Sequence, residues 1–186
     1  MQIVGGKFRG HKINAPKTSS TRPTSSRLRE ALFNIVQSYI DEASFLDLYA
    51  GSGAMGLEAL SRGAAKATFV DNNKEAISCI QANAKHLKVE MLTTALNGDV
   101  FRTVERLTEK TQFDIIYADA PYSKEHSPSY RLLQFMDESS LLKDGGMLFI
   151  EDVLASHEVN DLKNLQLISV RSAGPSFLHQ YQKKIR

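Results

Sequence analysis

Two short stretches of this chain carry the residue types that chemistry needs. The first places Gly51, Gly53 and Gly56 as GxGxxG, with Asp71 twenty positions beyond Gly51. Glycines at this spacing let a backbone turn tightly and approach a ligand, and an acid about twenty positions on suits ribose hydroxyls. Asp47, just ahead of the loop, discriminates between cofactors. A carboxylate there repels a pyrophosphate, whereas it attracts a sulfonium and an ammonium. The loop, Asp47 and Asp71 together therefore point to S-adenosylmethionine rather than NAD, although Asp47 alone is equally suited to bonding neighbouring backbone. Asp99 is placed either to accept from an adenine amino group or to sit exposed in a loop.

The second stretch is Asp119, Ala120, Pro121, Tyr122, at the end of an apolar run. An exocyclic amino group on a base is a poor nucleophile because its lone pair is delocalised into the ring. Acceptors for its two hydrogens favour a pyramidal nitrogen and aim the lone pair. The Asp119 carboxylate and the Ala120 carbonyl suit that task by orientation and electrostatics. Pro121 holds Ala120 extended, and Tyr122 offers a stacking surface for a base flipped out of its helix. An isolated match of this kind is usually an Asp–Pro turn; its place after a strong strand, beside the glycine loop, favours the functional reading.

These residues require elements to hold them. Gln2–Val4 and Lys7–Ile13, around Gly5 and Gly6, suggest a small hairpin, followed by a Pro/Ser/Thr-rich loop. Ser26 is placed to cap a helix whose apolar stripe runs Leu28, Leu32, Ile35, Val36, Tyr39. Strands are expected at Phe45–Ala50, Lys66–Val70, within 89–96, at Phe113–Ala118 and at Met147–Glu151. Two more are expected near 165–171 and 176–184. Helices are expected at Leu57–Ser61, Lys74–Leu87, after Asp99 to Leu107, and around 130–138. This alternation predicts an α/β, Rossmann-like, mostly parallel seven-stranded sheet with helices on both faces and a short antiparallel end.

With 186 residues and 42% hydrophobic content, the chain can bury one good core. Its apolar runs are too short to span a membrane, and its first residues lack a secretory pattern. The lone Cys79, expected as a small buried hydrophobe, suits a cytoplasmic location. The net charge of +2 conceals an asymmetry: Lys7, Arg9, Lys12, Lys17, Arg22, Arg27 and Arg29 precede the first acid, Glu30. A basic arm on an acidic body suits a polyanionic partner, the plain alternative being a solvated tail.

The sequence resembles the RsmD-type methyltransferases of bacterial small-subunit ribosomal RNA. The likeness runs over nearly the whole chain: IVGGKFRGHKI, RPT from Arg22, RLREALFN from Arg27, LDLYAGSGAMGLEALSRGA from Leu46, FVDNN around Asp71, the helix of Asn83, DAPY, and Glu151 closing the next strand. It implies methyl transfer from S-adenosylmethionine to guanine N2 of 16S rRNA, by a monomer acting on free rRNA or an assembling small subunit. The implied cofactor residues are Asp47, Gly51, Gly53, Asp71 and Asp99, with Tyr49, Ser52, Asn72 and Val100 beside them. Asp119, Ala120, Pro121 and Tyr122 form the implied catalytic motif. RNA is expected on Lys7, Arg9, Lys12, Arg22 and Arg27, beside the substrate channel, and no metal is expected. Residues 1–25 then form a basic arm and 26–186 the methyltransferase domain. Three positions depart from the family pattern: Ala120 replaces a proline, Gln2 a basic residue, and Ala173 an aromatic. The carbonyl that the chemistry needs survives at Ala120, in a less rigid turn. Lys124 and His126, just past the motif, are more simply solvated loop residues than RNA contacts.

Competing readings are a methyltransferase acting on adenine N6 of DNA or on a protein glutamine, a nicotinamide dehydrogenase, and a non-catalytic RNA-binding module. The chain's shortness disfavours a separate target-recognition domain, and Asp47 with DAPY disfavours the dehydrogenase.

Overall fold

Seven strands form one sheet in the order β3-β2-β1-β4-β5-β7-β6. They are β1 (Ser44–Leu48), β2 (Lys66–Asp71), β3 (Thr93–Asn97), β4 (Phe113–Asp119), β5 (Leu142–Asp152), β6 (Leu165–Ala173) and β7 (Ser176–Lys183). The first five are parallel, and β7 inserts antiparallel between β5 and β6. The helices are α1 (Ser26–Ile35), α2 (Ala54–Ser61), α3 (Lys74–Leu87), α4 (Val100–Thr108) and α5 (Pro128–Glu138). This computed structural model describes residues 1–16, 26–121, 128–155 and 162–185.

The central strands are mostly apolar because helices cover both faces, with Asp47 a buried exception in β1. Phe45, Phe69, Tyr117 and Phe149 pack with α1, α2 and α3 on one side. Leu46, Leu48, Ile116 and Leu148 pack with α4 and α5 on the other. Local chemistry sets the helix ends. The Asn73 side chain accepts the Glu75 N–H at 2.9 Å to start α3, and Lys88 ends that helix at φ 58°. Asp99 starts α4 by accepting the Arg102 N–H at 3.0 Å.

Several expectations need correction. The α1 stripe stops early: the helix ends at Ile35, and Tyr39 is 58% exposed. Strand β5 begins at Leu142, so Gly145 and Gly146 lie within it. A register shift opposite, between Phe113 and Ile115, accommodates them. The N-terminal hairpin has one isolated bridge, Gln2 to Lys12, in place of two strands. Cys79 is half-buried, with Sγ 3.2 Å from the Asn14 carbonyl.

The N-terminal segment is fastened to the body. Ile3 and Ile13 enter the core. The fully buried Glu58 accepts the N–H groups of Val4 at 2.8 Å and Gly5 at 2.7 Å, and Arg62 Nε at 2.8 Å. Arg29, 2% exposed, lies 3.9 Å from the same carboxylate and donates to the Gln2 carbonyl. One of the seven arm cations is thus an internal counterion, unavailable to a partner. Burial lowers its pKa, with Glu58 and Glu30 opposing that shift.

Candidate active site

The order of the strands reverses between β1 and β4, and in open α/β sheets ligands bind at the carboxyl edge beside that reversal. Leu48 of β1 pairs with Ala118 of β4, so the glycine loop and the Asp119 turn leave the sheet side by side. The loop needs left-handed backbone at Gly51 (φ 54°) and Gly53 (φ 76°), which glycine adopts without strain. At Gly56 a Cβ would collide with the Phe69 ring, so this third glycine permits α2 to lie close on β2. Tyr49 also has positive φ, at 58°, without being glycine. Such strain costs on the order of 1–3 kcal/mol and concentrates at functional sites.

Three acids converge on this edge. Asp47 is 1% exposed and accepts the Gly56 N–H at 2.9 Å. Burial holds its carboxyl well above the usual range, and the charges of Asp119 and Asp71 add to that despite the Gly56 bond. The backbone-bonding role foreseen for Asp47 is therefore present, within a strongly electronegative setting. Asp71 accepts from the Gly51 N–H and the Asn73 N–H, both at 2.8 Å. Each carboxylate oxygen has a further lone pair available. Asp119 is half-buried, and its pKa is pushed up to about 7 by burial, then by Glu151 and Asp152.

The remaining expected residues surround these. Ser52 is buried, Asn72 exposed and Val100 buried at the start of α4. Asp99 is exposed, and besides capping α4 it acts on Tyr49, whose phenol burial pushes up to about 12 with Asp99 raising and Arg131 lowering it. Ala120 is half-buried and Pro121 exposed, while Tyr122, Lys124 and His126 lie outside the described residues. Lys7, Arg9, Lys12 and Arg27 are exposed; Lys17 and Arg22 lie outside the described residues. The hairpin tip is bonded at the far end of α2, where Lys7 donates to the Ser61 carbonyl. An eight-residue helix separates that end from the glycine loop, about 12 Å at the usual rise.

Sequence reasoning missed two residues that hold the site. Asn83, 1% exposed, accepts from the Asn14 N–H and donates to the carbonyls of Asn14 and Ser52. It thereby ties the N-terminal segment to the glycine loop; an amide on the apolar face of α3 was the available signal. Tyr117, 1% exposed, donates to Glu151 at 2.7 Å. A concavity of about 510 Å³ opens at the opposite edge beside Ser44, Lys66, Gln112 and Lys143. It lacks the convergent acids of the carboxyl edge.

A parallel β3-β2-β1-β4-β5 sheet extended by β7, antiparallel to both its neighbours, and then by β6, with a glycine loop after β1, is the Rossmann-like methyltransferase fold. The structure of "Putative methyltransferase yhhF from Escherichia coli" superposes with a TM-score of 0.85 at 29% identity, covering 100% of this chain and 99% of that one. At 15% identity, and so informative about fold alone, a putative methyltransferase, SMU.776, complexed with SAH, gives a TM-score of 0.68 over 86% of this chain and 50% of that one.

The chain belongs to the RsmD family, whose model, described as "Conserved hypothetical protein 95", matches residues 1–182. Among its relatives, "Putative rRNA methyltransferase YlbH" of Bacillus subtilis is 34% identical over 81% of this chain and 82% of its own length. "Ribosomal RNA small subunit methyltransferase D" of Escherichia coli K12 is 30% identical over 99% of this chain and 90% of its own.

Proposed function

We propose that this protein transfers a methyl group from S-adenosylmethionine to the exocyclic N2 of a guanine in small-subunit ribosomal RNA. Methyl transfer to ribosomal RNA rests on family membership with relatives that bear that name. The observation that carries the site assignment is the convergence of Asp47, Asp71 and Asp119 at one sheet edge, close enough that the latter two acids raise the pKa of the first. Such a site complements a cation and repels a pyrophosphate, so the residues present fit S-adenosylmethionine and disfavour a dinucleotide. Bound there, the cofactor supplies an electrophilic methyl on its sulfonium.

The chain's residues do the rest. Asp71 offers its free lone pairs to ribose hydroxyls, and the open space at Gly51, where a Cβ would meet nothing within 4 Å, leaves room for the ligand. Asp119 and the Ala120 carbonyl take the two amino hydrogens and direct the nitrogen lone pair, an effect of preorganised acceptors. On methylation the nitrogen must shed a proton, and Asp119 is the base within reach. A pKa of about 7 matches that task near neutrality. Tyr122, by sequence, stacks on the flipped base. Lys7, Arg9, Lys12, Arg22 and Arg27 meet phosphates, so the RNA extends from the catalytic edge toward the far end of α2. The protein acts as a monomer in the cytoplasm on free rRNA or an assembling subunit, residues 1–25 serving as its arm.

Label from methyl-labelled S-adenosylmethionine should enter small-subunit rRNA, and neither DNA nor protein, when each is offered to the purified protein. Label found chiefly in DNA adenine or in a protein amide would replace this reading with one of its competitors.

A further inference from the structure

Asp119 has a second carboxylate beside it. In the register of β4 and β5, Asp119 pairs with Glu151. Paired residues on neighbouring strands project to one face, and so do residues two apart on one strand. Tyr117, two residues before Asp119, confirms that face by reaching Glu151 with its hydroxyl. Glu151 is held from both sides: Tyr117 of β4 donates to Oε2 at 2.7 Å, and Ser176 Oγ of β7 donates to Oε1 at 2.8 Å. Both holders are neutral, so they fix the carboxylate while leaving its charge. Each oxygen keeps a lone pair, and the residue is half-buried rather than sealed.

We infer that Glu151 reads the N1–H of the target base, and thereby selects guanine over adenine, while Asp119 and the Ala120 carbonyl hold the adjacent amino group. The inference rests on the guanine-N2 reading above and deepens it. Guanine presents N1–H and N2–H₂ side by side, three hydrogens in a row on its Watson–Crick edge. Two neighbouring carboxylates and a carbonyl are the complementary set of acceptors. Adenine presents its amino group beside N1, which has a lone pair and no hydrogen. An adenine placed with its amino group on Asp119 would set that lone pair against Glu151, leaving a desolvated acceptor facing an acceptor. Tyr117 and Ser176 act through Glu151 as positioning residues.

The test uses an RNA substrate with the target guanine replaced by 2-aminopurine, which keeps the N2 amino group but bears a lone pair at N1. Wild-type protein should lose about 10- to 100-fold in kcat/KM on this substrate, the scale of one hydrogen bond to a charged group. Glu151→Gln should reduce methylation of guanine yet narrow the ratio between the substrates, because its amide can donate to N1 of 2-aminopurine. Comparing that ratio between proteins cancels the loss of O6, which both experience. Tyr117→Phe should narrow the ratio partially with cofactor affinity unchanged, and it serves as the test if Glu151→Gln does not fold. An unchanged ratio in these variants, with N2-methylguanosine still produced, overturns the role of Glu151 and leaves the proposed function standing. A wild-type product other than N2-methylguanosine overturns the reading on which the inference rests.

Discussion

The Asp71 carboxylate, at the end of β2, accepts the backbone N–H of Gly51 in the glycine loop at 2.8 Å. One side chain therefore shapes the loop and, in the proposed function, also accepts from the ribose hydroxyls. Asp71→Ala should weaken binding of S-adenosylmethionine and its demethylated product by removing ribose acceptors and loosening the loop. NAD should not bind wild type. Calorimetry checks both, and tight NAD binding without S-adenosylmethionine binding would refute the assignment of the cleft.

The three-acid convergence also predicts proton linkage. The Asp47 carboxyl is held high by burial and by the charges of Asp119 and Asp71. A cationic ligand favours the ionised form of Asp47, so binding should release a proton and strengthen as pH rises. Calorimetry in buffers of different ionisation enthalpy measures that proton; its absence would mean that the ligand's cations do not face Asp47.

For catalysis, Asp119→Ala should keep fold and cofactor binding but lose roughly 10²-fold or more in methyl transfer. In wild type, kcat/KM should rise through a pH near 7 as Asp119 ionises. Glu151 and Asp152 raise that value after burial, so Glu151→Gln should move the rising limb to lower pH. Ala120→Pro should be tolerated because the carbonyl remains. Undiminished turnover in Asp119→Ala would show that the amino group is oriented by something else.

Apolar runs and their periodicity made much of this fold legible. Helix α3 runs from Lys74 to Leu87 as the sequence suggests, because Asn73 encodes its start and the apolar face of Ile77, Ile80 and Ala84 is buried. The parallel strands and the placement of the two motifs at one sheet edge followed from apolar runs that end in Asp71 and Asp119. What was hidden depends on distant partners. Arg29 reads as one more arm cation until the fold brings Glu58 to it. The strand expected to begin at Met147 begins at Leu142 instead, since nothing local to Gly145 and Gly146 reveals the shifted pairing with β4. Asn83 and Tyr117 look like core positions until their polar atoms find the glycine loop and Glu151.

The buried Glu58 gives the N-terminal segment a testable anchor. Glu58→Ala removes the acceptor for Val4, Gly5 and Arg62 and leaves the Arg29 guanidinium without its counterion. Stability should fall by about 3–5 kcal/mol, as when one partner of a buried ion pair is deleted. Amide exchange at Val4 and Gly5 should accelerate. Denaturant unfolding with exchange mapping checks both, and a stability within about 1 kcal/mol of wild type would show that the clip is dispensable.

On the RNA side, Lys7, Arg9 and Lys12 are exposed and form no ion pair among the described residues. Replacing all three should weaken RNA binding, flatten its salt dependence by about two units of slope, and leave cofactor affinity unchanged. Identical RNA binding and methylation at every salt concentration would make the arm a solvated tail.

The most direct measurement is nucleoside mass spectrometry of small-subunit rRNA lacking its native methylation, after incubation with the protein and S-adenosylmethionine. N2-methylguanosine should be the protein-dependent product, absent with Asp119→Ala. N6-methyladenosine, or no methylated nucleoside despite bound cofactor, would contradict the proposed function.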